Sequence, residues 1–192
     1  MANIAKFDRE DVIAKATQLF WQKGFQATST RDLQQAVNMR PGSMYAAFGG
    51  KGDIYQLVLE QYAISMGRLL DQSLEQADTI PEGIRKFVRR VLLETTDNEV
   101  RDVCLLYRTV AELDDNQAEL LDFARSKLND KEARFAALIQ EAQNLGQLPA
   151  SLHAESVAAD LQCRMLGIRG YLKITRNLAT IDTMIDDLLR FS

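Results

Sequence analysis

Apolar residues recur three and four positions apart along almost the whole chain. No stretch alternates apolar and polar residues as a half-buried strand would, so the pattern predicts an all-α fold. The first helix starts at Asp8, a capping residue, with Asp11 in its first turn. It carries Val12, Ile13, Ala16, Leu19 and Phe20 on one face and ends at Gly24, with Phe25 packing back on that face. After the Gly49-Gly50 break, Asp53 starts a long helix to about Gln76 whose Ile54, Leu57, Val58, Met66, Leu69 and Leu70 point inward and which joins the two halves of the chain. Pro81 opens the next helix, with Ile84, Phe87, Val88, Val91 and Leu92 as its stripe and Thr96-Asp97-Asn98 as its end. A shorter segment runs from Val100 to Leu113. Asn116 to Gly146 reads as one long helix, or two with a bend near Asn129-Asp130, and Pro149 confirms the stop. Ser151 caps a helix to about Thr175, and a last helix from Thr180 shows Ile181, Met184, Ile185, Leu188 and Leu189 on one stripe. The spacing follows no solenoid period.

Between the first helix and the long one lie two short helical patterns. Ser29 followed by Asp32 is an acidic variant of a capping box, and Leu33, Ala36 and Val37 recur at helical spacing behind it. Asn38 tolerates the left-handed backbone of a sharp helix exit, and Pro41 suits the first turn of a helix, where its missing N–H has no partner to lose. Helix, tight turn, helix is an arrangement that can lay its second helix in a DNA groove. Leu33, Asn38, Gly42-Ser43-Met44-Tyr45, Phe48 and Lys51 fall in the order and spacing of the DNA-binding signature of TetR-family transcriptional regulators, which about the first quarter of the chain resembles. The length is also typical of that family. The pattern departs at Gln34, where the family more often has Ala, at Asn38, where it has Gly, and at Ala46 and Ala47, where it has an aromatic followed by His or Tyr. The two alanines remove side chains that often reach the DNA.

Arg31 and Arg40 are the candidates for reading bases, because a guanidinium can donate two parallel bonds to guanine O6 and N7. The alternative for Arg31 is a surface pair with Asp32 or Asp8, and for Arg40 a phosphate contact. Thr30, Ser43, Tyr45 and Lys51 read as phosphate clamps near helix ends, and Pro41 completes the DNA-binding set at the start of the recognition helix. Met44 and Phe48, four apart, supply that helix's buried face, so Tyr45 is expected outward; a core aromatic is the alternative.

The penultimate helix carries apolar residues on more than one face, which calls for burial on two sides: its own core and a second subunit. The resemblance implies the same, a four-helix interface across a two-fold axis. Leu161, Met165, Ile168, Leu172, Ile181 and Ile185 are the expected contacts, with Gly167 and Gly170 permitting close backbone approach. The resemblance further places an effector cavity against the central segment, where Cys104, Tyr107, Arg108 and Glu112 lie. Cys104 reads as a packed small hydrophobe, with an oxidant- or electrophile-sensing thiol as the sharper alternative. Arg108 and Glu112, four apart, read as a solvated pair or, if buried, as polar anchors of the cavity.

Of the 192 residues 46% are hydrophobic, with three prolines and ten glycines, which indicates compact structure. No apolar run reaches the ~18–20 residues of a membrane span, and Met1 to Arg9 lacks a secretory core, so a cytoplasmic location is expected. Cys104 and Cys163 lack the paired spacing of a zinc site, and reduced thiols are the expectation. The net charge is −4, yet residues 1–55 hold seven basic and five acidic side chains, which leaves −6 on the rest. Local sign outranks global sign where a small face meets phosphate. A single histidine and the absence of a paired-acid, nucleophile or metal spacing argue against an enzyme, a cofactor or a metal. The expectation is therefore a homodimeric, ligand-responsive repressor. Residues 1–50 bind a palindromic double-stranded operator; residues 51–192 bind a small-molecule effector and dimerise. The alternatives are an activator, or a helical protein-binding adaptor with a vestigial DNA domain.

Overall fold

The computed structural model describes residues 8–94, 104–175 and 177–190, with the backbone alone for Glu94 and Lys173. The end of the fifth helix at Thr96-Asp97-Asn98 and the start of the next near Val100 lie outside the described residues. Among those described, the elements are helical: α1 (Arg9–Ala27), α2 (Thr30–Val37), α3 (Pro41–Phe48), α4 (Lys51–Glu75), α5 (Ile80–Arg89) with a π-helical turn at Arg90–Glu94, α6 (Leu105–Glu112), α7 (Ala118–Asn144) after a 3-10 turn at Asp115–Gln117, α8 (Ala154–Thr175) and α9 (Leu178–Asp186).

Packing divides the chain into two units, residues 1–63 with 105–125, and residues 64–104 with 126–192. The first therefore reaches past residue 50 and takes in α6 and the start of α7. Its centre is aromatic: Phe20 meets Tyr55 edge-on at 4.6 Å between ring centroids, and Phe25 folds back to 4.8 Å from Tyr55 and 6.2 Å from Phe20. Val12, Ala16, Leu33, Val37, Met44 and Phe48 are buried in the same unit, so α1 to α3 all turn their apolar stripes inward. Gly24 breaks the regular path of α1 with φ +80°, a left-handed backbone that favours glycine.

In the second unit, Leu70, Ile84, Phe87, Val88, Phe135, Ile139, Leu161, Ile181 and Ile185 belong to one buried cluster. α5 approaches the end of α4 closely at Gly83, where a Cβ would lie 2.9 Å from Leu74 Cα. Arg89 ties α5 to α9 through Asp182 at 3.1 Å and Asp186 at 3.0 Å.

Helix ends differ in two places from the sequence expectation. α8 begins at Ala154 and not beside Ser151, because the Gln143 amide takes the Pro149 and Leu152 carbonyls at 2.8 and 2.9 Å and holds that stretch as a turn. α9 begins two residues before Thr180, because the Asn177 side chain accepts from the Thr180 N–H at 3.3 Å and acts as the cap. α7 runs without interruption through Asn129 and Asp130.

Candidate nucleic-acid interface and effector region

The turn between α2 and α3 is built from local chemistry. Ser29 Oγ accepts from the Asp32 N–H at 3.1 Å, and Asp32 Oδ2 accepts from the Ser29 N–H at 2.9 Å, a reciprocal capping box. Lys23 adds an ion pair to Asp32 at 2.7 Å. That bond, together with those from Ser29, holds the Asp32 carboxyl well below the usual carboxylate range. Asn38 adopts φ 52°, ψ 45°, and its N–H bonds the Gln35 carbonyl, so the chain leaves α2 sharply. Pro41 then opens α3.

On α3, Met44 and Phe48 are buried and Tyr45 is 43% exposed, which sends its phenol outward. Thr30, Arg31, Arg40, Pro41 and Ser43 are exposed as well. Arg31 pairs with neither acid considered for it: Asp32 is held by Lys23, and Asp8 caps α1 through the Glu10 and Asp11 N–H groups. Among the described residues, neither Arg31 nor Arg40 has an ion pair. A Cβ on Gly42 would meet no protein atom within 4 Å, so the helix surface beside Ser43 is bare.

Lys51 departs from the clamp role expected for it. Its ammonium donates to the Thr28 carbonyl at 2.7 Å and lies 4.2 Å above the Phe25 ring. Burial lowers its pKa from the ordinary lysine value. In this conformation Lys51 fastens α4 to the end of α1.

The four residues expected at an effector cavity differ in their surroundings. Tyr107 is 45% exposed. Arg108 Nη1 donates to the Trp21 carbonyl at 2.5 Å while its Nε is ion-paired with Glu112. Both side chains press against Gly24, where a Cβ would stand 2.7 Å from Arg108 Nη2 and from Glu112 Oε2. They staple α6 to α1 inside the first unit, whereas Cys104 is buried and belongs to the second. Within the first unit, the Tyr55 hydroxyl and Thr109 Oγ1 share a buried hydrogen bond of 2.8 Å, and burial pushes the Tyr55 phenol up to about 12.

The expected dimer contacts are also corrected. Leu161, Met165, Ile168, Ile181 and Ile185 lie in the core of their own unit, and Leu172 packs against it partly buried. Exposed residues of α8 include Glu155, Ser156, Asp160 and Arg164 in its first half and Cys163, Gly167, Gly170, Tyr171 and Ile174 further on, the last 82% exposed, and Leu178 and Met184 of α9 are exposed too. Cβ atoms on Gly167 and Gly170 would meet nothing within 4 Å.

A polar cluster that the sequence does not announce lies within the second unit. Arg169 of α8 is 8% exposed, and its Nη2 donates to the Val91 carbonyl at 3.4 Å. Gln162, two turns earlier on the same face, donates from Nε2 to Glu132 Oε2 at 3.2 Å, while its Oε1 is buried without a partner. Lys131 of α7 is half-buried; desolvation lowers its pKa, Cys104 opposes that, and Arg169 and Glu132 act more weakly, the first lowering it and the second raising it. Among the described residues, no three His, Cys, Asp or Glu side chains gather as a metal site, and no helix is long and apolar enough to cross a membrane.

Two family profiles match the chain: "Bacterial regulatory proteins, tetR family" over residues 12–58, and "Tetracyclin repressor-like, C-terminal domain" over residues 80–188. The HTH-type transcriptional repressor ComR of Escherichia coli (strain K12) is 22% identical over 163 residues, 84% of this chain and 78% of that protein. The HTH-type transcriptional repressor BdcR of the same strain is 30% identical over 124 residues, 56% of this chain and 63% of its own length. Among solved structures, a cysteine mutant of the TetR family transcriptional regulator CifR complexed with 26 bp double-strand operator DNA superposes with a TM-score of 0.85 at 23% identity, covering 96% of this chain and 97% of that one.

Proposed function

The chain belongs to the tetR family of bacterial regulatory proteins, and on that premise we infer that it is a transcriptional repressor that binds a palindromic operator as a homodimer and is released by a small-molecule effector. The observation that carries the reading is the outward face of α2 and α3. Arg31, Arg40, Ser43 and Tyr45 are exposed there, and neither guanidinium has an ion pair among the described residues. Basic and hydroxyl groups left open at the ends of two short helices match phosphate oxygens and base edges. In this reading Arg31 reads a base, Arg40 a base or phosphate, and Thr30, Ser43 and Tyr45 hold phosphates. Pro41 sets the start of the recognition helix. Ala46 and Ala47 approach a thymine methyl.

Two-fold symmetry places two recognition helices in successive major grooves ~34–36 Å apart, so dimerisation is part of the site. The surface suited to pair with a second copy is the outward face of α8. Its two glycines admit a close helix approach, and Tyr171, Ile174, Leu178 and Met184 supply apolar area. The effector is bound in the second unit and favours a form in which the two recognition helices no longer match that spacing, with α4 carrying the change because residues 51–63 belong to one unit and 64–75 to the other.

Fluorescence anisotropy with a palindromic duplex from the flanking intergenic DNA tests this. Binding should be salt-dependent and at least about a thousandfold tighter than to scrambled duplex of equal length. Equal affinity for the two duplexes would move the protein to the adaptor reading.

A further inference from the structure

We propose that Arg169, Lys131 and Gln162 form a recognition site for an organic carboxylate that also carries a hydroxyl or amino donor. The inference rests on the ligand-responsive reading above and names the chemical class of its effector.

A buried guanidinium normally finds a carboxylate, since its charge loses water and needs a partner of opposite sign. Arg169 is 8% exposed and has five N–H donors, yet its protein bond is a long one, 3.4 Å, to a neutral carbonyl. No carboxylate among the described residues lies within 4 Å of it or of Lys131. Lys131, half-buried on α7 next to Glu132, stands within electrostatic reach of Arg169, so two cations share one region and repel each other. Glu132, the carboxylate of the cluster, is engaged by the Gln162 amide. That bond also fixes which end of the amide is oxygen, and it leaves Oε1 buried and lacking a donor. The complement of this cluster is a molecule with one negative charge for the two cations and one O–H or N–H for Oε1. A carboxylate matches the planar guanidinium fork, whereas a halide or an inorganic anion without a proton to donate would leave Oε1 empty. Phe135, one turn along α7 from Lys131, and Met165, between Gln162 and Arg169 on α8, are buried apolar side chains on the same two helices, of the kind that suits an organic body.

The test uses the full chain and three probes of one shape: 2-hydroxybenzoate, benzoate without the hydroxyl, and 2-hydroxybenzyl alcohol without the charge. At tenfold excess over its Kd, 2-hydroxybenzoate should raise Tm by about 3–5 °C. Benzoate should bind about tenfold more weakly and the alcohol should give no shift. Lys131→Met should abolish the shift while raising the Tm of the unliganded protein by about 2–4 °C, because it removes a desolvated, repelled cation. A purely structural lysine would lower it. Arg169→Met should also lose the response; if that variant does not fold, Gln162→Leu decides, and it should bind 2-hydroxybenzoate no better than benzoate. Three outcomes overturn the proposal: an alcohol as effective as the acid, an undiminished acid response in Lys131→Met, or no shift with any probe up to its solubility limit. Operator anisotropy separates the two readings. If a neutral compound releases operator, ligand response stands and this inference fails; if operator is never bound, the functional reading fails.

Discussion

Among the described residues, the outward face of α2 and α3 and the α7–α8 cluster both hold cations without ion partners, but they do so in opposite solvent. Arg31 and Arg40 stand in water, where an unpaired guanidinium costs almost nothing. Arg169 is withdrawn from water, and the half-buried Lys131 shares its neighbourhood. The difference teaches where an unpaired charge is informative by itself. On the surface it means little until the fold puts it on a groove-reading helix. In the interior it is already a demand for a partner.

The largest effect expected from breaking this contrast is in the core that separates the two sides of α8. Ile185→Ala should lower the unfolding free energy by about 2–5 kcal/mol, read by urea titration. Ile174→Glu, on the outward face, should leave protomer stability nearly unchanged and reduce dimer in sedimentation. If Ile174→Glu unfolds the protein and Ile185→Ala does not, the two sides have been exchanged.

Next is the DNA face. Arg31→Ala should weaken operator binding by about 1–3 kcal/mol and relax preference at one base pair. Its Tm should match the parent, because the side chain has no ion pair to lose. Equal losses on every base variant would make Arg31 a phosphate contact.

Lys51 sharpens the comparison from the other side, as a cation with internal partners. Lys51→Ala should reduce stability by about 1–2 kcal/mol through the lost Thr28 bond and Phe25 contact. Its main signature should be a lower Tm. A drop in salt slope of about one with unchanged Tm would restore it as a phosphate clamp.

The smallest effect concerns acid. Asp32 has a folded pKa well below that of a free aspartate, so its contribution is complete above the free value and is lost as pH falls through the lower folded one. Ser29→Ala removes bonds that depress it and should raise the pH of acid unfolding while costing about 0.5–2 kcal/mol at neutral pH as a lost cap. An acid transition identical to the parent's would mean that Ser29 does not set the Asp32 ionisation.

What could be read in advance was local. The Ser29–Asp32 box, the left-handed Asn38, the inward Met44 and Phe48 and the outward Tyr45 are decided within a turn or two of helix, and each is found as the spacing implied. For Arg108 and Glu112 the spacing announces their ion pair, but their further partners, like that of Lys51, are hidden from it, because the Thr28 and Trp21 carbonyls and the bare Gly24 are brought to them by packing. On α8 the two apolar faces were visible, but periodicity cannot say which turns inward. The branched and larger residues Leu161, Met165 and Ile168 took the core, leaving the glycines outside. Arg169 had no signal, since an arginine in a helix that also carries Glu155, Asp160 and Arg164 reads as a solvent-facing residue until its exposure is known.

The staple between α6 and α1 bears on how such chains can be recombined. Residues 105–125 pack with residues 1–63, and Gly24 has room only for a hydrogen where Arg108 and Glu112 press on it. A chimera that joins this operator-reading segment at residue 50 to the effector half of a relative would inherit a foreign α6. It would then require a matching cation and acid on α6 from one parent and a glycine on α1 from the other. Grafts that carry residues 105–125 together with the first 63 should keep their affinity for DNA, and inheritance of the segment as a discontinuous block is the pattern to look for when natural hybrids of this lineage are compared.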